Sequence, residues 1–324
     1  MQIYKVTGDK SLRLSSDELR SGGVMVKIRK VMPSILDVDY FSGKKMTREF
    51  CPCHMATAYV SDDYPEYGFK QGEKVLLNPY RETDSIDSHI SGVNEDGFLR
   101  EFCSLDPSAI IPLPETVDED DALFTDLVAI ALSAFSDMHA EKGDYIAVIG
   151  GGVLSVIIAR LAVYYGYVPV FVSADKSLID IATSCGVYYT VNSTTEDVKG
   201  RVLEITGGRL AERTILEGRD NVVSRYLFAL AADNGESVIV SVHDNYSNLT
   251  TDLHPVLAKN LRVYGVSEGR KQFGAALNVL ARGVLDLKGL IDKKVDFKDA
   301  EELFLQMSEN RELYVAPVIV VEKK

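Results

Sequence analysis

The sequence predicts an α/β protein in which a doubly wound parallel sheet is inserted into a β-rich domain. Three observations lead to this prediction. An apolar strand, Gly143–Gly150, runs into three glycines and then into a stretch with helical periodicity. Short β-branched runs alternate with helical segments after that turn, which is typical of a parallel sheet with helices on both faces. The flanking regions are instead short strands broken by turn-forming residues.

The first 118 residues are predicted to be β-rich, because short apolar runs are separated by Gly, Pro, Asn and Asp. The predicted strands are Val24–Val31, Met55–Val60, Lys74–Asn78, Phe98–Ser104 and Ile110–Leu113. The same architecture returns at the end of the chain, where a helix at Phe273–Arg282 is followed by a helix at Lys298–Met307 and a strand at Val315–Val321.

The middle of the chain carries the alternating series. Its predicted strands after the glycine turn are Val168–Ser173, Tyr188–Asn192, Arg213–Glu217, Ser237–Val242 and Leu261–Val266. The helices between them are predicted at Ser177–Cys185, Thr195–Thr206 and Val222–Asp233. We therefore expect residues 137–274 to form the inserted domain, and residues 1–136 and 275–324 to form the β-rich domain.

The glycine turn has the form Gly150-x-Gly152-x-x-Ser155. The first glycine allows the tight turn, the second lets the backbone approach a pyrophosphate, and the serine replaces the third glycine with another small residue. Val153 and Leu154 complete the helix start, whose backbone amides form an anion site. A plain strand-to-helix connection is the alternative. The strands that follow favour a dinucleotide site of the Rossmann type, at the carboxyl end of the first strand.

The cofactor choice between NAD and NADP depends on the end of the second strand, where an acidic residue holds the adenosine ribose in NAD-specific proteins. If Ser173 occupies that position, the 2′-phosphate of NADP is tolerated and Lys176 can neutralise it. If Asp175 occupies it, its carboxylate makes the NAD contact. The sequence leaves both possibilities open.

Composition excludes several function classes. The chain has 324 residues and a formal net charge of −13, which argues against nucleic acid or an anionic membrane as partner. It begins with a strand-like segment rather than a basic and apolar leader, and it contains no uncharged apolar run long enough to span a bilayer. We expect a cytoplasmic location and a small-molecule partner.

The four cysteines, Cys51, Cys53, Cys103 and Cys185, match neither a disulfide framework nor a four-cysteine zinc site. Cys51 and Cys53 lie on either side of Pro52 and precede His54, and this arrangement has two interpretations. They form either part of a metal cluster or half-buried positions of an extended chain.

Several motifs resemble, in order and spacing, those of the zinc-type medium-chain dehydrogenases/reductases, which include alcohol and polyol dehydrogenases. The motifs are Tyr40–Gly43, Cys53–Met55, Phe69–Val75, Asp96–Phe102, Ile111–Pro114, Thr125–Phe135, Leu261–Gly265 and Asp299–Phe304, together with the glycine turn. The resemblance implies a GroES-like β-domain around a Rossmann coenzyme domain, with the active site in the cleft between the two domains.

The family uses a catalytic zinc ion with three protein ligands and an open position. The resemblance places the first ligand, normally cysteine, on Ser34, the histidine on His54, the adjacent glutamate on Met55 and the hinge-helix ligand on Asp126. Serine is a poor substitute for a thiolate. His54 and Asp126 are therefore the candidate metal ligands, and we expect zinc to bind weakly or not at all. The loop that holds a structural zinc in many members contains no cysteine here.

The candidate catalytic residues implied by the resemblance are Ser34, Asp37, His54 and Asp126. Asp37 matches a carboxylate that orients the ligand histidine. His54 and Asp126 each have a structural interpretation as well. His54 can be a core histidine, and Asp126 can be an acidic residue of a helix first turn.

The resulting function is an NAD(P)-dependent oxidoreductase that transfers hydride between a nicotinamide and an alcohol, a polyol, a polyol phosphate or a carbonyl compound. The alternative is a nucleotide-binding, catalytically inactive homologue that acts as a redox-sensing or assembly partner.

The resemblance also has an implication for assembly. Family members pair through their last coenzyme-domain strands, and Leu261–Val266 has the apolar residues that such pairing requires. We therefore expect a homodimer or a dimer of dimers.

Overall fold

The computed structural model describes residues 1–16, 22–45, 48–81, 89–217, 221–242, 250–287, 289–310 and 313–322. The chain divides into two compact units. The first unit comprises Met1–Thr125, Leu280–Gly283 and Leu287–Lys324, and the second comprises Asp126–Val279 and Val284–Asp286.

The first unit is built on β-sheets, as the sequence predicts. Its strands are β1 (Gln2–Val6), β2 (Leu12–Ser16), β3 (Val24–Met32), β4 (Met55–Val60), β5 (Lys74–Leu77), β6 (Phe102–Leu105), β7 (Ile110–Pro112), β14 (Lys294–Asp296) and β15 (Val318–Val320). Seven of them form a sheet in the order β14-β15-β3-β4-β5-β7, with β6 also paired to β3, while β1 and β2 form a separate hairpin. Three helices accompany these strands: α1 (Ile35–Phe41), α2 (Glu119–Ala122) and α11 (Ala300–Glu309).

The second unit contains a six-stranded parallel sheet. Its strands are β8 (Tyr145–Ile149), β9 (Val168–Ser173), β10 (Tyr189–Asn192), β11 (Ala211–Glu217), β12 (Ala231–Val240) and β13 (Arg262–Val266). The helices between and around them are α3 (Thr125–Ser136), α4 (Val153–Tyr165), α5 (Lys176–Ser184), α6 (Val198–Ile205), α7 (Asn221–Ser224), α8 (Tyr226–Ala229), α9 (His254–Ala258) and α10 (Phe273–Ala281).

The strand order of this sheet is β10-β9-β8-β11-β12-β13. The chain moves outward from β8 to β10 and then returns to start again at β11, so its direction reverses between β8 and β11. In such sheets, ligands bind at this reversal, beyond the carboxyl ends of the strands. The doubly wound sheet predicted from the sequence is confirmed. The last four residues of β8 are all buried, which explains their unbroken apolar sequence, because helices cover both faces of a parallel sheet.

The predicted helix at Val222–Asp233 is wrong. Two four-residue helices, α7 and α8, occupy its first part, and β12 begins at Ala231. The ammonium of Lys259 donates to the carbonyl oxygens of Phe228, Ala229 and Ala231 at 3.3, 3.2 and 2.6 Å. A cation at these carbonyls ends the helix, and pairing of Ala231 with Ala211 of β11 then starts the strand. A contact made by a residue so distant in sequence is not readable from helical propensity.

Other element ends differ by a few residues. The predicted helix at Thr195–Thr206 begins later, because Asp197 caps α6 by accepting a hydrogen bond from the Gly200 amide at 3.3 Å. Within the described ranges, no helix has both the length and the apolar character needed to cross a bilayer.

Candidate functional site

The glycine turn joins β8 to α4 at the point where the sheet reverses direction. Helix α4 begins at Val153, its N-cap is Gly152, and no side chain caps it. The first amides of any α-helix have no acceptor within the helix, so this 13-residue helix presents donors and the positive end of its dipole to an anion. The side chain of Leu154 is buried, and it therefore contributes to this site through its backbone.

Gly150 and Gly152 differ in what the surrounding structure requires of them. A Cβ atom on Gly150 would lie 2.8 Å from the Cβ of Ser155 and 2.9 Å from the Cβ of Glu217, so the packing of the fold itself requires a glycine there. Gly152 has φ −142° and ψ 171°, an extended conformation that any residue adopts. The hydroxyl of Ser155 donates to the carbonyl of Gly152 at 2.6 Å, which fixes the turn against its helix.

At the end of β9, the three candidate cofactor residues have distinct positions. Ser173 is fully buried, and its hydroxyl accepts a hydrogen bond from the Asp175 amide at 3.1 Å. Asp175 is the N-cap of α5, and its Oδ1 accepts from the amide and hydroxyl of Ser177 at 2.7 and 2.6 Å. The ammonium of Lys176 lies 2.8 and 3.0 Å from the two carboxylate oxygens of Asp180. This end of β9 therefore has two carboxylates, Asp175 and Asp180, and one ammonium group, Lys176.

In the first unit, Ser34 and Asp37 form a capping box at the start of α1. The amide and the hydroxyl of Ser34 both donate to Oδ2 of Asp37 at 2.7 Å. The other oxygen of Asp37 accepts a hydrogen bond from the Cys53 amide at 2.8 Å. Ser34 and Asp37 thus fix the helix start to the segment that carries His54.

The segment from Cys51 to His54 is held on several sides. The Cys51 amide donates to Asp96 at 2.9 Å, and the Cys53 carbonyl accepts from the Phe98 amide at 2.8 Å. Cys53 has φ +69°, a left-handed conformation that is uncommon for a residue with a side chain. A Cβ atom on Gly97 would lie 2.3 Å from the Cys53 carbonyl oxygen. Position 97 must therefore be a glycine for the two chain segments to lie so close together. His54, which is fully buried, follows directly on this hydrogen-bonded segment.

The thiols of this segment remain protonated near neutral pH. Burial raises the pKa of Cys51 to about 12. Burial, with the nearby Asp37 carboxylate, raises the pKa of Cys53 well above its ordinary value. Protonated and enclosed thiols are weak metal ligands and weak nucleophiles. Of the two interpretations of these cysteines, the structure favours buried core positions.

Asp126 lies in the second unit, in the first turn of α3, where its carboxylate is stabilised by the helix dipole. Its residue surface is 1% exposed. The preceding Thr125 donates its hydroxyl to the carbonyl of Ala122 at 2.7 Å, which fixes the entry into the helix. The acidic first-turn position is the structural interpretation given above, and its depth of burial is unusual for that role alone.

A catalytic zinc ion takes three protein ligands. The structure brings Ser34 and Asp37 together, with the Ser34 hydroxyl engaged in the helix cap. Met55, the first residue of β4, supplies a thioether where the family has a carboxylate. Among the residues that the structure describes, no group of three His, Cys, Asp or Glu side chains is arranged to hold a metal ion. These residues do not fit a three-ligand zinc site.

Two residues at these sites were missed from the sequence. Asp96 fixes the amide of Cys51, and Glu217 packs against Gly150. The only signal for Glu217 is an acidic residue directly after the apolar pair Ile215 and Leu216, at the carboxyl end of its strand. Its proximity to Gly150 depends on the pairing of β11 with β8, in which Leu216 lies opposite Ile149.

Comparison with known proteins finds similarity to dehydrogenases and reductases. No family model matches it. An uncharacterized zinc-type alcohol dehydrogenase-like protein of Haemophilus influenzae is 25% identical over 260 residues, which cover 76% of this chain and 75% of the relative. Ribulose-5-phosphate reductase of Bacillus spizizenii is 26% identical over 258 residues, which cover 74% of this chain and 72% of the relative.

A solved structure shows the same fold. A zinc-binding dehydrogenase from Sinorhizobium meliloti, bound to NADP, has a TM-score of 0.87 over 99% of both chains, at 16% sequence identity. The predicted two-part fold is thereby confirmed. The relatives confirm the predicted resemblance as well: the chain is similar to a zinc-type alcohol dehydrogenase-like protein and to a ribulose-5-phosphate reductase. It is an oxidoreductase.

Proposed function

We propose that the chain binds NAD(H) or NADP(H) at residues 150–155 and transfers hydride between the nicotinamide and an alcohol, a polyol or a sugar-derived carbonyl compound. One observation carries this proposal: an N-terminus without a side-chain cap, on the 13-residue helix α4, lies at the direction reversal of a doubly wound sheet. Backbone amides and the helix dipole there suit a diphosphate. The ribulose-5-phosphate reductase among the relatives makes phosphorylated sugars and polyols the first substrates to test.

A nicotinamide held at this turn would supply the hydride chemistry. The protein must then hold the substrate oxygen and move its proton. We propose His54 for the proton transfer, because an imidazole side chain can both accept and donate a proton. Asp126, in the second unit, is proposed as a second acid/base group. Ser34 and Asp37 are proposed as positioning residues, since their hydrogen bonds fix the backbone next to His54.

Titration of the purified protein with NADH and NADPH tests the proposal, followed by a panel of carbonyl compounds that includes phosphorylated sugars. Tight binding with turnover of one carbonyl class is the expected result. Tight binding without any turnover supports the second candidate function, a catalytically inactive homologue that acts as a redox-sensing or assembly partner. The observation that favours this second candidate is the Ser34 hydroxyl, which is bound in a helix cap where the family has a metal-binding cysteine.

We predict that NADH binds more tightly than NADPH. The 2′-phosphate of NADP would meet the Asp175 carboxylate, and Lys176 is already paired with Asp180. Asp175→Asn keeps an N-cap and removes the charge. It is therefore expected to reduce the preference for NADH over NADPH by about tenfold. Asp197→Asn, at the cap of α6, is the matched control. Calorimetric titration with both cofactors is the measurement, and tighter binding of NADPH by the native protein would contradict the prediction.

We also propose a homodimer, or a dimer of dimers, that forms through β13. This strand ends the sheet order, and Val263 on it is 41% exposed. An edge strand with exposed apolar residues pairs readily with a second copy. Sedimentation at micromolar concentration is expected to give two or four times the 35.7 kDa of one chain. Val263→Lys is expected to shift the protein toward monomer, whereas Val163→Lys on α4, which is also 41% exposed, leaves the assembly unchanged. A native monomer refutes the proposal.

A further inference from the structure

Glu217 is a buried acidic residue at the reversal point of the parallel sheet. It closes β11, the strand next to β8, and it lies opposite Val240 of β12. Its surface is 3% exposed. An acidic residue at such depth is uncommon in protein interiors, because loss of hydration disfavours the charged form unless nearby groups compensate.

The side chain of Glu217 lies directly against the glycine turn. A Cβ atom on Gly150 would lie 2.9 Å from the Cβ of Glu217 and 3.1 Å from its Oε2. This carboxylate oxygen is itself buried, so it faces the backbone of the turn and not the solvent. The Cβ atom of Ser155 occupies the space beside it. Glu217 and Ser155 thus fill the volume around Gly150.

The glycine turn that Glu217 contacts leads directly into α4. Helix α4 has no acidic residue in its own first turn and no side-chain cap. The positive end of its dipole is therefore available to negative groups from other elements. Glu217, on the neighbouring strand, brings a carboxylate to the turn that leads into this helix end.

We propose that Glu217 is a positioning residue for the dinucleotide site. Its side chain packs against Gly150 and fixes the position of the turn. The first amides of α4 are thereby oriented toward the diphosphate before the cofactor binds. This inference rests on the proposed binding of NAD(P)H at the turn. Glu217 acts through Gly150 and makes no contact of its own with the cofactor. The contact of the side chain with the turn, more than its charge, is what the site requires.

Three variants separate the contact from the charge. Glu217→Gln keeps the length of the side chain and removes the charge, whereas Glu217→Asp keeps the charge and withdraws the carboxylate from Gly150. Glu217→Ala removes both. Glu204→Ala, an exposed position on α6 whose partner is Arg201, is the control. The dissociation constant for NADH is measured by calorimetry, well below the unfolding temperature of each variant.

The Asp and Ala variants are expected to weaken NADH binding about tenfold or more, because displaced donors lose most of their benefit. The Gln variant is expected to remain within about threefold of native, as is Glu204→Ala. With saturating NADH and a carbonyl substrate, the single-turnover rates of all four variants stay close to native. If the role of Glu217 were merely structural, its variants would have a lower unfolding temperature, and their dissociation constants for NADH would equal that of the native protein.

Equal NADH affinity in native protein and in the Asp and Ala variants would overturn the inference while leaving the proposed function intact. Weak binding by the Gln variant as well would overturn the claim that contact matters more than charge. If native protein binds neither NADH nor NADPH, the proposed function itself fails, and the inference fails with it.

Discussion

Gly152→Val is expected to abolish detectable NADH binding, with at least about a hundredfold loss of affinity. The branched side chain would stand where the pyrophosphate must approach the backbone. The φ and ψ values of Gly152, −142° and 171°, suit valine, so the backbone is not strained by the substitution. Calorimetric titration of native and variant protein is the measurement.

The fold controls for this variant are available in the same unit. Gly274→Val lies on an exposed position of α10, where an added Cβ atom meets open space, and it is expected to bind NADH like the native protein. Thermal unfolding of both variants should stay close to native. Gly150→Ala is a poor choice for this purpose, because its side chain would clash with Ser155 and Glu217. Native-like binding by Gly152→Val would show that the cofactor lies elsewhere.

Substitution of His54 is expected to slow the chemical step by about a hundredfold to ten-thousandfold, the range that a positioned acid/base group contributes. Asp126→Ala is expected to act in the same direction. The measurement is single-turnover oxidation of NAD(P)H with the carbonyl panel, at saturating cofactor. His54→Gln is preferred to alanine for the first variant, since alanine would leave a cavity at a fully buried position.

Exposed residues of the same type serve as controls for these two variants. His254→Ala changes an exposed residue of α9, and Asp137→Ala changes an exposed residue just after α3; both should keep native rates. Native rates in the His54 and Asp126 variants with an active substrate would rule out both residues as the reaction centre. The two positions lie in different units, so each is tested by its own variant and by its own control.

The parallel sheet and the glycine turn were predictable because they depend on local pattern. Apolar runs such as Val168–Ser173 are complete strands in the structure, and the helix after Gly152 begins where the periodicity changes. The region 222–233 was not predictable, because the Lys259 ammonium ends α8 there. Helical propensity carries no information about a contact from another element.

The candidate site was predictable at the level of residues and less so at the level of their roles. Ser34 and Asp37 were assigned from the family resemblance to ligand and histidine-orienting positions, and these two roles remain predictions. Their spacing in the chain, a serine three residues before an acidic residue, is also that of a capping box, and the structure forms one. Glu217 was not predictable, because its contact with Gly150 depends on how two distant strands are paired.

The capping box at Ser34 has a consequence for any attempt to engineer metal binding into this protein. Ser34→Cys would supply the missing thiolate, but cysteine is a poor N-cap, and loss of a good cap costs about 0.5–2 kcal/mol. The Asp37 carboxylate would lose the hydroxyl donor at 2.7 Å and keep only the backbone amide of residue 34 on that oxygen, and this same carboxylate holds the Cys53 amide. A thiolate gained for the metal would therefore loosen the backbone next to its histidine ligand. Redesign of the site must recap α1 before it adds a ligand.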